Sequence, residues 1–157
     1  MAQPLVEVSQ VPGHDVEFAV FHANTWRVDE WNTLLVYAYV PSAEQAICED
    51  TQIRLAQHAA QYGGSGGQAK QTIARGAEIA VVPELPGCRL NPQRARFRWL
   101  EDWHYVEFQT QASPDVSGFE CGETLNGRVS FYVGPILIGE VKIWVYLSNV
   151  IEKTMAW

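Results

Sequence analysis

IARGAEIAVVPELPGCRLNPQRARFRWLEDWHYVEFQTQ, residues 73–111, is the stretch whose reading decides the fold. Its clearest part runs from Gln93 to Leu100, where Ala95, Phe97 and Trp99 alternate with Arg94, Arg96 and Arg98. Successive side chains of a β-strand point to opposite faces, so this spacing sets an apolar face against a cationic one. Glu101 and Asp102 turn the chain, after which His104, Val106, Phe108 and Thr110 alternate with Tyr105, Glu107, Gln109 and Gln111. Upstream, Ile73, Ala77, Ile79 and Val81 form an inward set around Gly76, and Pro83, Pro86-Gly87 and Asn91-Pro92 are read as breaks. Three consecutive strands are predicted here. Glu107 is expected to pair with an arginine across the strands, a contact worth a few tenths to about 1 kcal/mol at an exposed site.

The flanking sequence supplies the other strands and one helix. Val16, Phe18 and Val20 alternate within Asp15 to Phe21, and His22 to Glu30 reads as a polar connection whose one large apolar residue is Trp26. In WNTLLVYAYV, residues 31–40, the Leu34, Val36, Ala38, Val40 face and the Leu35, Tyr37, Tyr39 face are both apolar, which predicts a central strand covered on each side. Pro41 ends it. Ser42 with Gln45 has the form of a capping box, and Ala43, Ile47, Thr51, Leu55 and Ala59, joined by Ala46, Ala56 and Tyr62, make one buried helical stripe. The helix is predicted over 42–62, ended by Gly63-Gly64, with GGSGGQ at 63–68 as a flexible loop. Residues 113–127 read as a polar loop. The closing GRVSFYVGPILIGEVKIWVYL turns at Gly134-Pro135 and sends Val141, Ile143, Val145 and Leu147 inward, with Glu140, Lys142, Trp144 and Tyr146 opposite.

These elements predict a mainly β protein: an antiparallel two-sheet β-sandwich of about eight strands with one amphipathic helix inserted. One domain spans 15–150, preceded by a lead-in at 1–14 that holds a candidate edge strand at Leu5 to Val8, and followed by a tail at 151–157. A chain of 157 residues suits that, since one core of this size removes roughly 70% of the unfolded chain's surface from water. Net charge −7 with only 11 Lys and Arg argues against nucleic acid and against an anionic membrane surface as partners. No apolar run approaches the roughly 20 residues that span a bilayer, and the first residues lack the form of a secretory signal. Cys48, Cys88 and Cys121 have no C-x-x-C spacing and read as reduced, buried thiols of a cytoplasmic protein.

No catalytic, cofactor-binding or metal-binding residue is assigned. A nucleophile would need a cysteine beside His14, His22, His58 or His104 with oxyanion donors near, and no such signature occurs. Neither His14-Asp15 with His22 nor Glu101-Asp102 with His104 has metal-ligand spacing. The glycines at 63–67 lack the Gly-Lys-Ser/Thr of a phosphate loop. The candidate surface is therefore Arg94, Arg96 and Arg98, three guanidinium groups able to hold carboxylates or other anions, with His104, Trp144 and Tyr146. The plainer reading of the arginines is a solvated face partly neutralised by Glu78 and Glu107, and that of the aromatics is packing beneath the helix.

WNTLLVYAYV, RGAEIAVVPELPGCRLNPQRARFRWLEDWHYVEF and GRVSFYVGPILIGEV together resemble an uncharacterised β-rich domain that precedes a TIR domain in some bacterial proteins. The similarity covers about residues 16–147. It implies an accessory module of a signalling or antiviral-defence effector, in which the TIR partner is the part that consumes NAD. No TIR domain follows in this sequence, so no effector residue is carried over and no NADase activity is assigned. Two expectations result. One is a non-enzymatic interaction or regulatory module acting through a protein partner, a TIR-type effector, or self-association. The other is a sensor or enzyme for a small anionic ligand, with the arginines and His104 lining a pocket between the sheets.

Overall fold

Both faces of residues 34–39 are buried, and the architecture follows from that. The computed structural model describes residues 13–113 and 124–148. In chain order its strands are β1 (Gly13–His14), β2 (Glu17–Ala23), β3 (Thr25–Arg27), β4 (Trp31–Tyr39), β5 (Tyr62–Gln68), β6 (Ile73–Ala74), β7 (Glu78–Glu84), β8 (Cys88–Asn91), β9 (Ala95–Arg98), β10 (Trp103–Ala112), β11 (Thr124–Val133) and β12 (Ile136–Ser148), with one α-helix, α1 (Glu44–Leu55), after β4. Sheet I has the order β5-β2-β4-β10-β8 and sheet II the order β3-β12-β11-β7-β9, while β1 and β6 form a separate pair. The predicted sandwich with a single α-helix is what the chain forms. One pairing departs from it, since β3 runs parallel to β12. The predicted polar connection at residues 22–30 thus contains a strand, which carries Trp26 fully into the core.

Phe18, Val20, Leu34, Val36 and Phe108 of sheet I meet Ile79, Val81, Val129, Phe131 and Val141 of sheet II. Phe18 and Phe131 stack with ring centroids 3.8 Å apart, and each such buried side chain contributes roughly 1.5–3 kcal/mol relative to exposure. A second cluster lies on the other side of sheet I, where Leu35, Tyr37 and Tyr39 pack against Ala43, Ile47 and Leu55. Polar contacts fix that helix in place. Tyr37 Oη donates to Asp50 Oδ2 at 2.6 Å, Arg54 Nε donates to the same oxygen, and the Arg54 guanidinium lies 3.5 Å from the centroid of the Tyr105 ring. Burial, followed by the Asp50 hydrogen bond, pushes the Tyr37 hydroxyl up to about 12.

The structure corrects several local expectations. No side chain caps α1: Pro41–Ala43 form a 3₁₀ turn, the N-cap is Ala43, and Ser42 is exposed. The helix stops at Leu55, where Ala56 takes φ 47°, and a 3₁₀ segment (Ala56–Gln61) leads into β5. Ala56 is exposed, and the Ala59 side chain lies outside the described residues. The glycine run at 63–68 is an edge strand paired along β2. Glycine is needed because a side-chain ring packs over one position and a backbone over another: a Cβ on Gly64 would lie 2.7 Å from the Phe21 ring, and one on Gly67 would lie 2.8 Å from the Glu140 carbonyl oxygen. Pro83 does not break β7. It shares the phase of Ile79 and Val81, whose pairing to β9 ends at Val81, so no partner requires its missing N–H.

The stretch at 73–111 holds five strands where three were predicted, and the last four alternate between layers. β7 and β9 belong to sheet II; β8 and β10 belong to sheet I. This is why Glu107 does not pair with the arginines: it faces out of sheet I and accepts a hydrogen bond from Gln109 Nε2 at 3.0 Å. At the end of the predicted polar loop, residues 124–127 already belong to β11. The candidate strand at Leu5 to Val8, Cys121 and the tail lie outside the described residues.

Candidate functional site

The helix covers the outer face of sheet I, whereas no described element covers that of sheet II. The strand registers place its outward side chains in rows: Arg98 beside Glu78, Arg96 beside Ala80 and Tyr132, Glu84 beside Arg128 and Lys142, and Asn126 beside Trp144. Trp144 is 61% exposed and Tyr146 is 49% exposed, so they do not pack beneath the helix. At the centre, Arg128 Nη2 donates to Glu84 Oε1 at 3.0 Å, Arg128 Nη1 to Glu140 Oε2 at 3.5 Å, and Ser130 Oγ to Glu84 Oε2 at 3.1 Å. The Arg128 hydrogen bond holds the Glu84 carboxyl below its ordinary range.

Two shallow hollows flank this ion cluster. One, of about 300 Å³, is bordered by Pro86, Asn126, Arg128, Lys142 and Trp144. The other, of about 450 Å³, is bordered by Glu78, Ala80, Val82, Arg94, Arg96 and Tyr132. Small side chains on β7 form the second hollow and the arginines wall it. Arg96 reaches Glu78 only at 3.9 Å, with both side chains mostly exposed, and Arg98 Nη1 donates to the Gly76 carbonyl. Among the described residues, the part of this face between β12 and β9 carries five of the chain's 11 cationic residues, Arg94, Arg96, Arg98, Arg128 and Lys142. Against these stand three of its 18 acidic ones, Glu78, Glu84 and Glu140, so this part of the face is net positive on a chain of net −7.

Five of the six residues proposed from sequence therefore share one surface: Arg94, Arg96, Arg98, Trp144 and Tyr146. His104 does not. It leaves the inner side of β10 and stacks on Phe97 at 4.2 Å between centroids, and burial lowers its pKa while Glu101 opposes the shift. The arginines point out of sheet II and His104 points between the sheets, so they do not line a common pocket. His104 instead borders an open hollow of about 800 Å³ at the start of α1, with Arg75, Asp102 and Trp103. There the Arg75 guanidinium donates to the Leu100 carbonyl and lies 3.7 Å from Asp102 Oδ1. Sequence reading passed over Arg75, Glu84, Arg128 and Asn126. The alternation marks Glu84, Arg128 and Asn126 as outward but gives Arg75 the phase of the inward set, and no spacing signal brings Glu84 to Arg128 across the sheet.

Of the cysteines expected to be buried, Cys48 is exposed on α1, because it lies on the solvent side of the stripe made by Ile47, Thr51 and Leu55. Cys88 is half-buried, and desolvation pushes its thiol up to about 11, which keeps it protonated at neutral pH and a poor nucleophile. Among the described residues no group of three or more His, Cys, Asp or Glu side chains is placed to hold a metal ion. No helix among them is long and apolar enough to cross a membrane. No protein-family model matches this chain, and neither a curated protein nor a solved structure is significantly similar to it.

Proposed function

We propose that this protein is a non-enzymatic interaction module whose outer face of sheet II binds a protein partner. The carrying observation is the contrast between the two outer faces: the helix buries Leu35, Tyr37 and Tyr39 on one, and the other leaves Trp144 and Tyr146 exposed beside Lys142 and Arg128. Aromatic residues and arginine are the side chains most enriched at protein interfaces and at their energetic centres. The ion cluster of Glu84, Arg128 and Glu140 supplies fixed polar groups around them, which give orientation more than affinity. The resemblance of residues 16–147 to a domain preceding TIR domains provides the setting, a cytoplasmic accessory module of a bacterial signalling or antiviral-defence system. A TIR-type effector is the partner it suggests.

Immobilised wild-type chain and a Trp144→Ala/Tyr146→Ala variant, exposed to extract of the source cells, test this reading. A partner retained by the wild type and lost by the variant is expected. Equal retention by both, together with a monomer in light scattering across a hundredfold concentration range, would overturn it.

A further inference from the structure

The edge of sheet II at β9 has properties that select a particular kind of partner segment. The phase of its ladder follows from one bond, in which Trp99 N–H donates to the Ala77 carbonyl at 2.9 Å. Bonded and non-bonded pairs alternate in antiparallel pairing, so Phe97 and Ala95 exchange hydrogen bonds with Ile79 and Val81. Arg96 and Arg98 consequently turn their backbone N–H and C=O groups to the side of β9 that no described strand pairs with. The residues that send guanidinium groups out of the face are the same ones that offer backbone partners at its margin.

Across the sandwich from that edge the other sheet is open too. β8 pairs only with Gln109–Ala112 of β10, which leaves the stretch around His104 and Val106 without a neighbour on that side among the described residues. Ala95, Leu90 and Val106 are only partly buried there, next to the stacked Phe97 and His104 rings. The edge thus offers arginines above the sheet, backbone groups along it that pair with no described strand, and incompletely covered apolar side chains below. A second copy's β9 is a poor occupant, because it would set arginines against arginines; like charges on an edge are a common device against self-pairing. A partner with the opposite charge meets no such barrier.

We infer that β9 is a strand-addition site: an extended segment of a partner protein, with carboxylates at alternate positions and apolar residues between them, pairs along β9 as a sixth strand of sheet II. Its carboxylates lie beside Arg94 and Arg96, and its apolar residues cover Ala95, Phe97 and Val106. Backbone pairing provides affinity in this mode and the alternate side chains provide selection. This deepens the reading above and rests on it for the existence of a protein partner.

The probe is a fluorescent seven-residue peptide of alternating Val and Glu, titrated against the full chain at low salt beside its Val and Lys counterpart. The Glu peptide is expected to bind at least tenfold more tightly and to slow amide exchange at Arg96 and Arg98. Arg96→Pro removes a donor that faces away from β7, so it is expected to leave the melting temperature within a few degrees and abolish binding. Arg94→Glu/Arg96→Glu, which leaves the backbone alone, is expected to weaken the Glu peptide at least tenfold and decides the matter if the proline variant does not fold. Equal affinity for the two peptides, no binding of the Glu peptide, or β9 amides already protected in the full chain without peptide would each overturn the inference. If Trp144→Ala/Tyr146→Ala loses its cellular partner while the wild type binds no peptide, the interaction face stands and the strand-addition site falls.

Discussion

The two sheets carry the same period-two pattern, and their outer faces meet opposite fates. In sheet I the outward residues Leu35, Tyr37 and Tyr39 are large and apolar, and the chain sends α1 straight back over them. In sheet II most outward residues are small or charged, Ala80, Val82, Glu84, Arg96, Arg128 and Lys142; Tyr132 on β11 borders a hollow, and the most exposed large aromatics, Trp144 and Tyr146, lie on β12. A face that folding covers gains its energy within the chain; one left half apolar and half charged keeps that energy for an intermolecular contact. The difference is measurable by truncating one aromatic on each side. Tyr37 is fully buried, so Tyr37→Ala is expected to cost about 3–5 kcal/mol in urea unfolding. Trp144→Ala is expected to change stability by no more than about 0.5 kcal/mol and to act on binding instead. A Trp144→Ala cost near that of Tyr37→Ala would show that the aromatic margin of sheet II serves the fold.

The seam where the sheets approach gives a second test, with glycines one residue apart in β5. A Cβ on Gly67 would meet the Glu140 carbonyl oxygen at 2.8 Å, whereas one on Gly66 would sit at an ordinary 3.5 Å from the Phe18 carbonyl. Gly67→Ala is expected to destabilise by about 1–3 kcal/mol, as overpacking does. Gly66→Ala is expected to be neutral or slightly stabilising through the unfolded state. Equal effects in the urea midpoint would mean that β5 does not press against β12.

These glycines also show where the sequence stops being readable. Alternation is a local property, so β4, β7, β9, β10 and β12 and their inward residues could be found from residue types alone. GGSGGQ has no side-chain pattern to alternate, and its extended form is imposed by β2 on one side and β12 on the other. Nothing within residues 93–111 reveals that consecutive strands belong to different sheets, and the unmet expectation for Glu107 follows from that alone. The site divides in the same way. Arg94, Arg96, Arg98, Trp144 and Tyr146 were visible as outward residues, but that they share one face depends on the order β12-β11-β7-β9. The inward direction of His104 was visible as well, and it separates His104 from them.

The helix that covers sheet I ends on a residue with the wrong shape for its backbone. Ala56 has φ 47° and ψ −120°, a conformation that glycine adopts at little cost and a Cβ resists. Ala56→Gly is expected to stabilise the chain by about 1 kcal/mol, read as a higher urea midpoint. A lower midpoint would show that the helix end is held by other means.

The smallest effect separates the space between the sheets from both outer faces. His22 points inward from β2, buried against Trp26, with Nδ1 2.9 Å from the Ala23 carbonyl. Desolvation lowers its pKa and the Ala23 carbonyl only partly opposes this; His104, on the same inner side, shifts in the same direction. In the unfolded chain both imidazoles titrate near 6.5. Between that value and the lower folded one the unfolded state holds more protons, so stability falls as pH drops from about 7 towards 5. Glu84 does not contribute in this window, because its carboxyl is held below the ordinary range and its stabilisation is lost only at more acidic pH. Urea midpoints measured at pH 7, 6 and 5 are therefore expected to decline. His22→Gln is expected to flatten that decline in part, and His22→Gln/His104→Gln to flatten it further, while Trp144→Ala leaves the slope unchanged. A slope that survives removal of both histidines would assign the acid response to carboxylates on the outer faces.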